Sequence, residues 1–233
     1  MEVVSGFFSG NRTLPLVITR ENKYPMGVLL YLIATALYLT TNHFHMLPPQ
    51  QLPRHWIDYA VPFMPNTVWI YMSEWVYFAA VYICCRDILN LNKYFYSFLS
   101  LQFVSCLIFW LWPTTYPREF FPLPNDLNAL THFAFSTLRQ TDTAANCCPS
   151  LHVSSVYLSA FMIRDERESV RGWFPFFFVW GTAISISTLT AKQHYLIDVV
   201  VGFLFAIVFY ALFHRFFGYR AALTEARGAQ ANR

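Results

Sequence analysis

Apolar residues run along this chain in long blocks separated by shorter polar connections. Six blocks stand out, at roughly 25–46, 67–85, 94–112, 150–164, 173–190 and 194–217. Each is near the ~20 residues that a helix needs to cross ~30 Å of hydrocarbon. The fourth is short, and its end runs into the charged stretch Arg164 to Arg171. Trp69, Trp75, Trp110, Trp112, Trp173 and Tyr195 fall toward block ends, where aromatic side chains sit at a membrane–water boundary. The pattern predicts an all-α fold: a polytopic membrane helical bundle of about six transmembrane helices.

Two connections stand apart. Pro48 to Asn66 holds five prolines together with Trp56, Ile57 and Tyr59, and is expected to lie on the interface. Pro113 to Pro149 is long, and is expected to form a re-entrant or interfacial loop between spans three and four. Pro122 and Pro124 break it, and Asn125 to Leu138 suits a short helix. Long ordered loops are uncommon without a function. Residues 1–217 read as one membrane domain, and 218–233 as a small, polar, disordered cytoplasmic tail.

Composition sharpens this picture. The chain is 56% hydrophobic and 12% charged, against about 25% charged in soluble domains. A net charge of +3 gives no electrostatic footprint for a nucleic acid, so none is expected as a partner. Residues 1–23 lack a long apolar stretch, so no cleavable signal is expected and the first span stays as an anchor. The five cysteines follow no scaffold, metal or redox spacing. No metal and no cofactor is expected.

Six spans sort the charges onto two faces. Twelve Lys and Arg residues fall on the side of the termini: Arg12, Arg20, Lys23, Arg86, Lys93, Arg164, Arg167, Arg171, Arg215, Arg220, Arg227 and Arg233. Only Arg54, Arg118, Arg139 and Lys192 fall on the other. The bias predicts cytoplasmic termini. The opposite face, in the periplasm, exterior or lumen, then carries Arg118 after span three and Ser150 with His152 opening span four. Lys192 closing span five, and His194 with Asp198 opening span six, join them there.

That convergence has a chemical reading. A neutral imidazole attacks phosphorus well when a carboxylate fixes its tautomer and stabilises the imidazolium that forms. His194 with Asp198 four residues on suits that role. His152 suits the acid that protonates a leaving alkoxide and then activates water or a hydroxyl. Arg118, Lys192, Ser150 and the amides opening span four suit the phosphate oxygens. Glu74, in the second span, reads at least as well as a hydrogen-bonded structural group as a functional one.

The strings Pro149-Ser150-Leu151-His152 and Ser187 to Asp198 resemble two motifs of the type-2 phosphatidic acid phosphatase superfamily. The resemblance implies His194 as a phosphohistidine nucleophile, Asp198 as its partner, His152 as acid/base and Ser150 as a phosphate ligand. Leu151 stands where glycine is usual, and Thr188 where arginine is. Of the superfamily's first motif only Arg118 carries over. These variants, with Asp142 and Asn146 as substrate or loop contacts, resemble the inositol phosphorylceramide synthase branch. The expected activity is metal-independent cleavage of a lipid phosphate at the non-cytoplasmic face. Transfer to a lipid or sugar hydroxyl is the first alternative. A non-enzymatic transporter is the second.

Overall fold

The computed structural model describes residues 14–166 and 168–231, with side chains for 14–166 and 170–213. The side chains of Arg12, Arg167, Arg215, Arg220, Arg227 and Arg233, which entered the charge argument, lie outside the described residues.

Helices dominate. They are α1 Lys23–His43, α2 Trp56–Ala60, α3 Val68–Met72, α4 Glu74–Cys84, α5 Ile88–Leu111 and α6 Ala129–Thr141. Then follow α7 Leu151–Arg164, α8 Glu168–Arg171, α9 Phe174–Thr190 and α10 Leu196–Ala231. Four segments are long and apolar enough to cross a membrane: Lys23–His43, Pro65–Cys84, Ile88–Leu111 and Leu196–Phe213. The chain is an all-α membrane bundle.

The two remaining expected spans are shorter, for a physical reason. α7 has 14 residues and α9 has 17. α7 packs against α4, α5, α9 and α10, and all of it from Val153 to Ile163 is buried. A helix shielded from lipid by its neighbours can carry Ser154, Ser155 and Ser159, all buried here. It is the axis of the bundle.

The third span begins at Ile88, six residues before the expected start. Asp87 caps it through the amides of Leu89 at 2.8 Å and Asn90 at 3.2 Å. Asn90, Asn92 and Lys93 gave this turn a polar look, yet all three are buried. Asn92 Oδ1 accepts from the amides of Val17 at 2.7 Å and Ile18 at 2.9 Å. Asn90 donates to the buried Glu166 at 2.8 Å, and Lys93 pairs with Asp165.

The second span is not one helix. Pro65–Thr67 forms a 3-10 turn, α3 follows, and Ser73 separates α3 from α4. The Ser73 hydroxyl donates to Ile70 O at 2.6 Å and accepts from the Trp180 indole at 2.9 Å. The break places Glu74 in the first turn of α4, where the helix dipole favours a carboxylate.

Two connections are knitted together at one end of the bundle. Gln50–Gln51 (β1) pairs in parallel with Thr114–Thr115 (β2). Thr114 also bridges to Asn146. α6 is the helix expected in the long loop, shifted a few residues along because Asn128 caps it through the Thr131 amide at 2.8 Å. Arg139 is half-buried. It donates to Phe121 O at 2.8 Å and lies 4.8 Å over the Phe135 ring. At the other terminus the helical backbone continues through Ala231, with no break at Gly218.

Candidate active site

α10 does not begin at His194. It begins at Leu196, and His194 occupies the tight turn between α9 and α10. Lys192 in that turn has φ of 53°, a left-handed conformation uncommon outside glycine. Two contacts from the Pro48–Asn66 connection hold the turn. The Lys192 ammonium donates to Asp58 O at 3.0 Å and Val61 O at 2.5 Å. The Asp58 carboxylate accepts from the Leu196 amide at 2.7 Å, and so caps α10 from a distant part of the chain. Burial pushes the Lys192 ammonium below its ordinary pKa, partly offset by Asp58.

His194 is buried, and its Nδ1 lies 2.9 Å from the Cys147 carbonyl oxygen. A carbonyl only accepts, so Nδ1 carries the proton and Nε2 keeps its lone pair. Among the described residues no hydrogen bond reaches Nε2. Asp198 Oδ2 sits 3.4 Å from the same Nδ1 and accepts from the Tyr195 amide at 2.8 Å. Asp198 is fully buried. The pair shares a side because the turn closes onto α10.

Ser150 caps α7 through the Val153 amide at 3.4 Å and is fully buried. Its amide donates to Asp198 O at 3.1 Å, which fastens the start of α7 to the first turn of α10. Gly202 makes this approach possible: a Cβ there would stand 2.6 Å from Ser150 O. His152, two residues on, brings its ring centroid 5.7 Å from that of His194. The two histidines, Ser150 and Asp198 therefore meet.

His152 has a carboxylate of its own. Its Nε2 lies 3.1 Å from Glu74 Oε1. Its Nδ1 is a long 3.4 Å from the Tyr71 hydroxyl. Glu74 and His152 are both buried at the ion pair. A lone carboxylate at membrane depth costs roughly 2.5–3.5 kcal/mol, so the partnership accounts for Glu74. The sequence carried one signal for it, an acidic residue inside an apolar block.

Arg118 is anchored by Asp142. Its guanidinium donates to the Asp142 backbone carbonyl and reaches Asp142 Oδ2 at 3.5 Å. Its Nε has no hydrogen-bond partner among the described residues. Both Arg118 and Asp142 act electrostatically on His152. Asp142 also accepts from Tyr38 at 2.5 Å and Asn42 at 3.1 Å. Asn146 donates to Tyr38 O and Thr41, each at 3.3 Å. Asp142 and Asn146 thus brace the loop against α1. No described contact joins Lys192 to either histidine; it holds the neighbouring loop.

Cys147 Sγ, His194 Nδ1 and an Asp198 oxygen lie within 4.8 Å of one another, close enough to share a metal ion. His194 Nδ1 in this set already faces the Cys147 carbonyl at 2.9 Å. Burial and then the Asp198 charge push the Cys147 thiol well up. The same causes push Cys148 up to about 12.

An imidazole with a fixed tautomer, a second histidine–carboxylate pair and a guanidinium are groups suited to phosphoryl transfer. The chain belongs to the PAP2 superfamily, whose family model matches residues 39–212. A search of curated proteins found no match.

Proposed function

We propose that this protein is a lipid phosphate phosphatase working through a phosphohistidine. The observation that carries this reading is the His194 ring, whose Nδ1 is held by Cys147 O and Asp198. Nε2 attacks phosphorus and the bond from phosphorus to the lipid oxygen breaks. His152 gives that oxygen its proton, so the lipid leaves as an alcohol. His152 then takes a proton from water, the hydroxide attacks phosphorus, and the N–P bond breaks to release phosphate. Glu74 holds Nε2 of His152, which makes Nδ1 the proton-transferring atom. Arg118 and the amides opening α7 meet the phosphate oxygens.

A second reading is supported by an apolar cavity of about 630 Å³ that reaches His152. In it a lipid hydroxyl replaces water, as in inositol phosphorylceramide synthases. Product analysis separates the two. Purified protein receives a lipid phosphate with and without a diacylglycerol or ceramide acceptor. Inorganic phosphate in both cases supports the phosphatase, and a new phospholipid that needs the acceptor supports the transferase. Neither product from any lipid phosphate overturns both.

Two further results are expected. Turnover survives EDTA, because both proposed half-reactions use only side chains and backbone amides; complete loss restored by a divalent ion would mean a metal mechanism. The site faces away from the cytoplasm, following the positive-inside bias. A cysteine introduced at Glu119, beside Arg118, is then labelled by an impermeant thiol reagent on intact cells. Labelling only after lysis would reverse the orientation.

A further inference from the structure

The cavity is a groove whose lining on α1 runs from Tyr24 to Leu39, about 20 Å along the helix axis. Its flank is open, with Tyr24 63% and Val28 60% exposed. Most of its wall is aromatic or aliphatic, as a slot for a lipid tail would be.

Polar side chains also line it, among them Glu74, Asp142 and His152 at the site end, and two others stand unpaired. Gln102 on α5 and Ser155 on α7 line the groove and are 7% and 2% exposed. Among the described residues, Gln102 Oε1 and Ser155 Oγ have no hydrogen-bond partner. Their neighbours differ: Ser154 donates to Leu151 O and Ser159 to Ser155 O. Buried amides and hydroxyls are nearly always paired, because leaving them unpaired in apolar surroundings is costly.

Their height in the bundle is fixed. Tyr94 Oη meets Ser159 Oγ at 2.9 Å, which sets the antiparallel register of α5 and α7. Counting from there at about 1.5 Å per residue, Gln102 stands level with His152 and Ser155 about one turn deeper. A lipid with its phosphate at the histidines would place the first atoms of its backbone here.

We infer that Gln102 and Ser155 form a hydrogen-bonding subsite for the backbone of the substrate lipid. The subsite selects a lipid phosphate with ester, amide or hydroxyl groups beside its phosphate over a plain prenyl phosphate. The glutamine amide offers a donor and an acceptor, and the serine hydroxyl can serve as either. A glycerol or sphingoid backbone pairs with them, whereas a prenyl chain leaves both unpaired. Discrimination of this kind is strong where a buried polar group is stranded by the wrong ligand.

This inference rests on the lipid-phosphatase reading, and its test separates the two. Phosphate release is measured from phosphatidic acid and from a prenyl phosphate of matched chain length in the same micelles. Retention of each radiolabelled lipid on the His194→Ala protein is measured in parallel. The expected result is a preference for phosphatidic acid in both assays. Gln102→Leu should shrink that preference about tenfold, the worth of one hydrogen bond to a buried group. Leucine is close in size and suits an apolar wall, and Ser155→Ala serves as the second variant should Gln102→Leu fail to fold. Equal retention of the two lipids, or a preference that neither variant changes, overturns the subsite. Selective retention without phosphate release from either lipid keeps the subsite and overturns the phosphatase.

Discussion

Replacing His194 with alanine should abolish phosphate release while the protein still folds. In the proposed mechanism the imidazole takes the phosphoryl group and then gives it up. Removing one member of a catalytic unit typically costs about 10⁴–10⁶ in rate. The structural loss is small by comparison. His194 gives up one hydrogen bond to Cys147 O at 2.9 Å, worth about 1 kcal/mol. The turn itself is still held by Asp58 at the Leu196 amide. Phosphate release and thermal unfolding in the same detergent measure the two effects separately. A folded variant with wild-type turnover would falsify the nucleophile assignment. A phosphoryl group trapped on the wild type, labile in acid and missing from the variant, would support it directly.

Asp198→Asn should lower the rate by about 10²–10³. That is less than the ~10⁴ seen where an aspartate alone sets the tautomer of its histidine. Two contacts account for the difference. Nδ1 is nearer to Cys147 O, at 2.9 Å, than to Asp198 Oδ2, at 3.4 Å. The carbonyl keeps the proton on Nδ1 whichever residue stands at 198. Oδ2 also accepts the Tyr195 amide at 2.8 Å, so an asparagine would turn its oxygen, not its nitrogen, toward that position. The tautomer survives, and what is lost is the negative charge that stabilises the imidazolium. Single-turnover rates of phosphoryl transfer measure this step. A loss beyond about 10⁴ would mean that Asp198, not the carbonyl, holds the tautomer.

Much of this site could be read from the sequence, because its parts lie where strong local signals lie. His152 follows a proline and a serine at a helix start, and His194 lies four residues before Asp198 beside an apolar block. Topology alone then brings the ends of spans three to six together. What stayed hidden depends on partners far along the chain. Glu74 carries no local sign that it meets His152. Asp58 reads as an ordinary loop acid until Leu196 is seen to donate to it. Lys192 has the charge and position of a phosphate ligand, yet two backbone carbonyls hold its ammonium. The third span looked short because its first turn carries Asn90, Asn92 and Lys93, whose partners lie elsewhere in the chain.

The Asp58 cap on α10 also sets an order of manufacture. The two residues are 138 positions apart, so at about 5–20 residues per second the carboxylate waits on the order of ten seconds for its amide. Until then the ribosome has made the groove, the braced loop and His152, but not His194. His194 arrives in the same turn as the amide that locks it. On the mechanism proposed above, a chain that stops short of α10 has the groove and His152 but lacks the capped turn that holds His194.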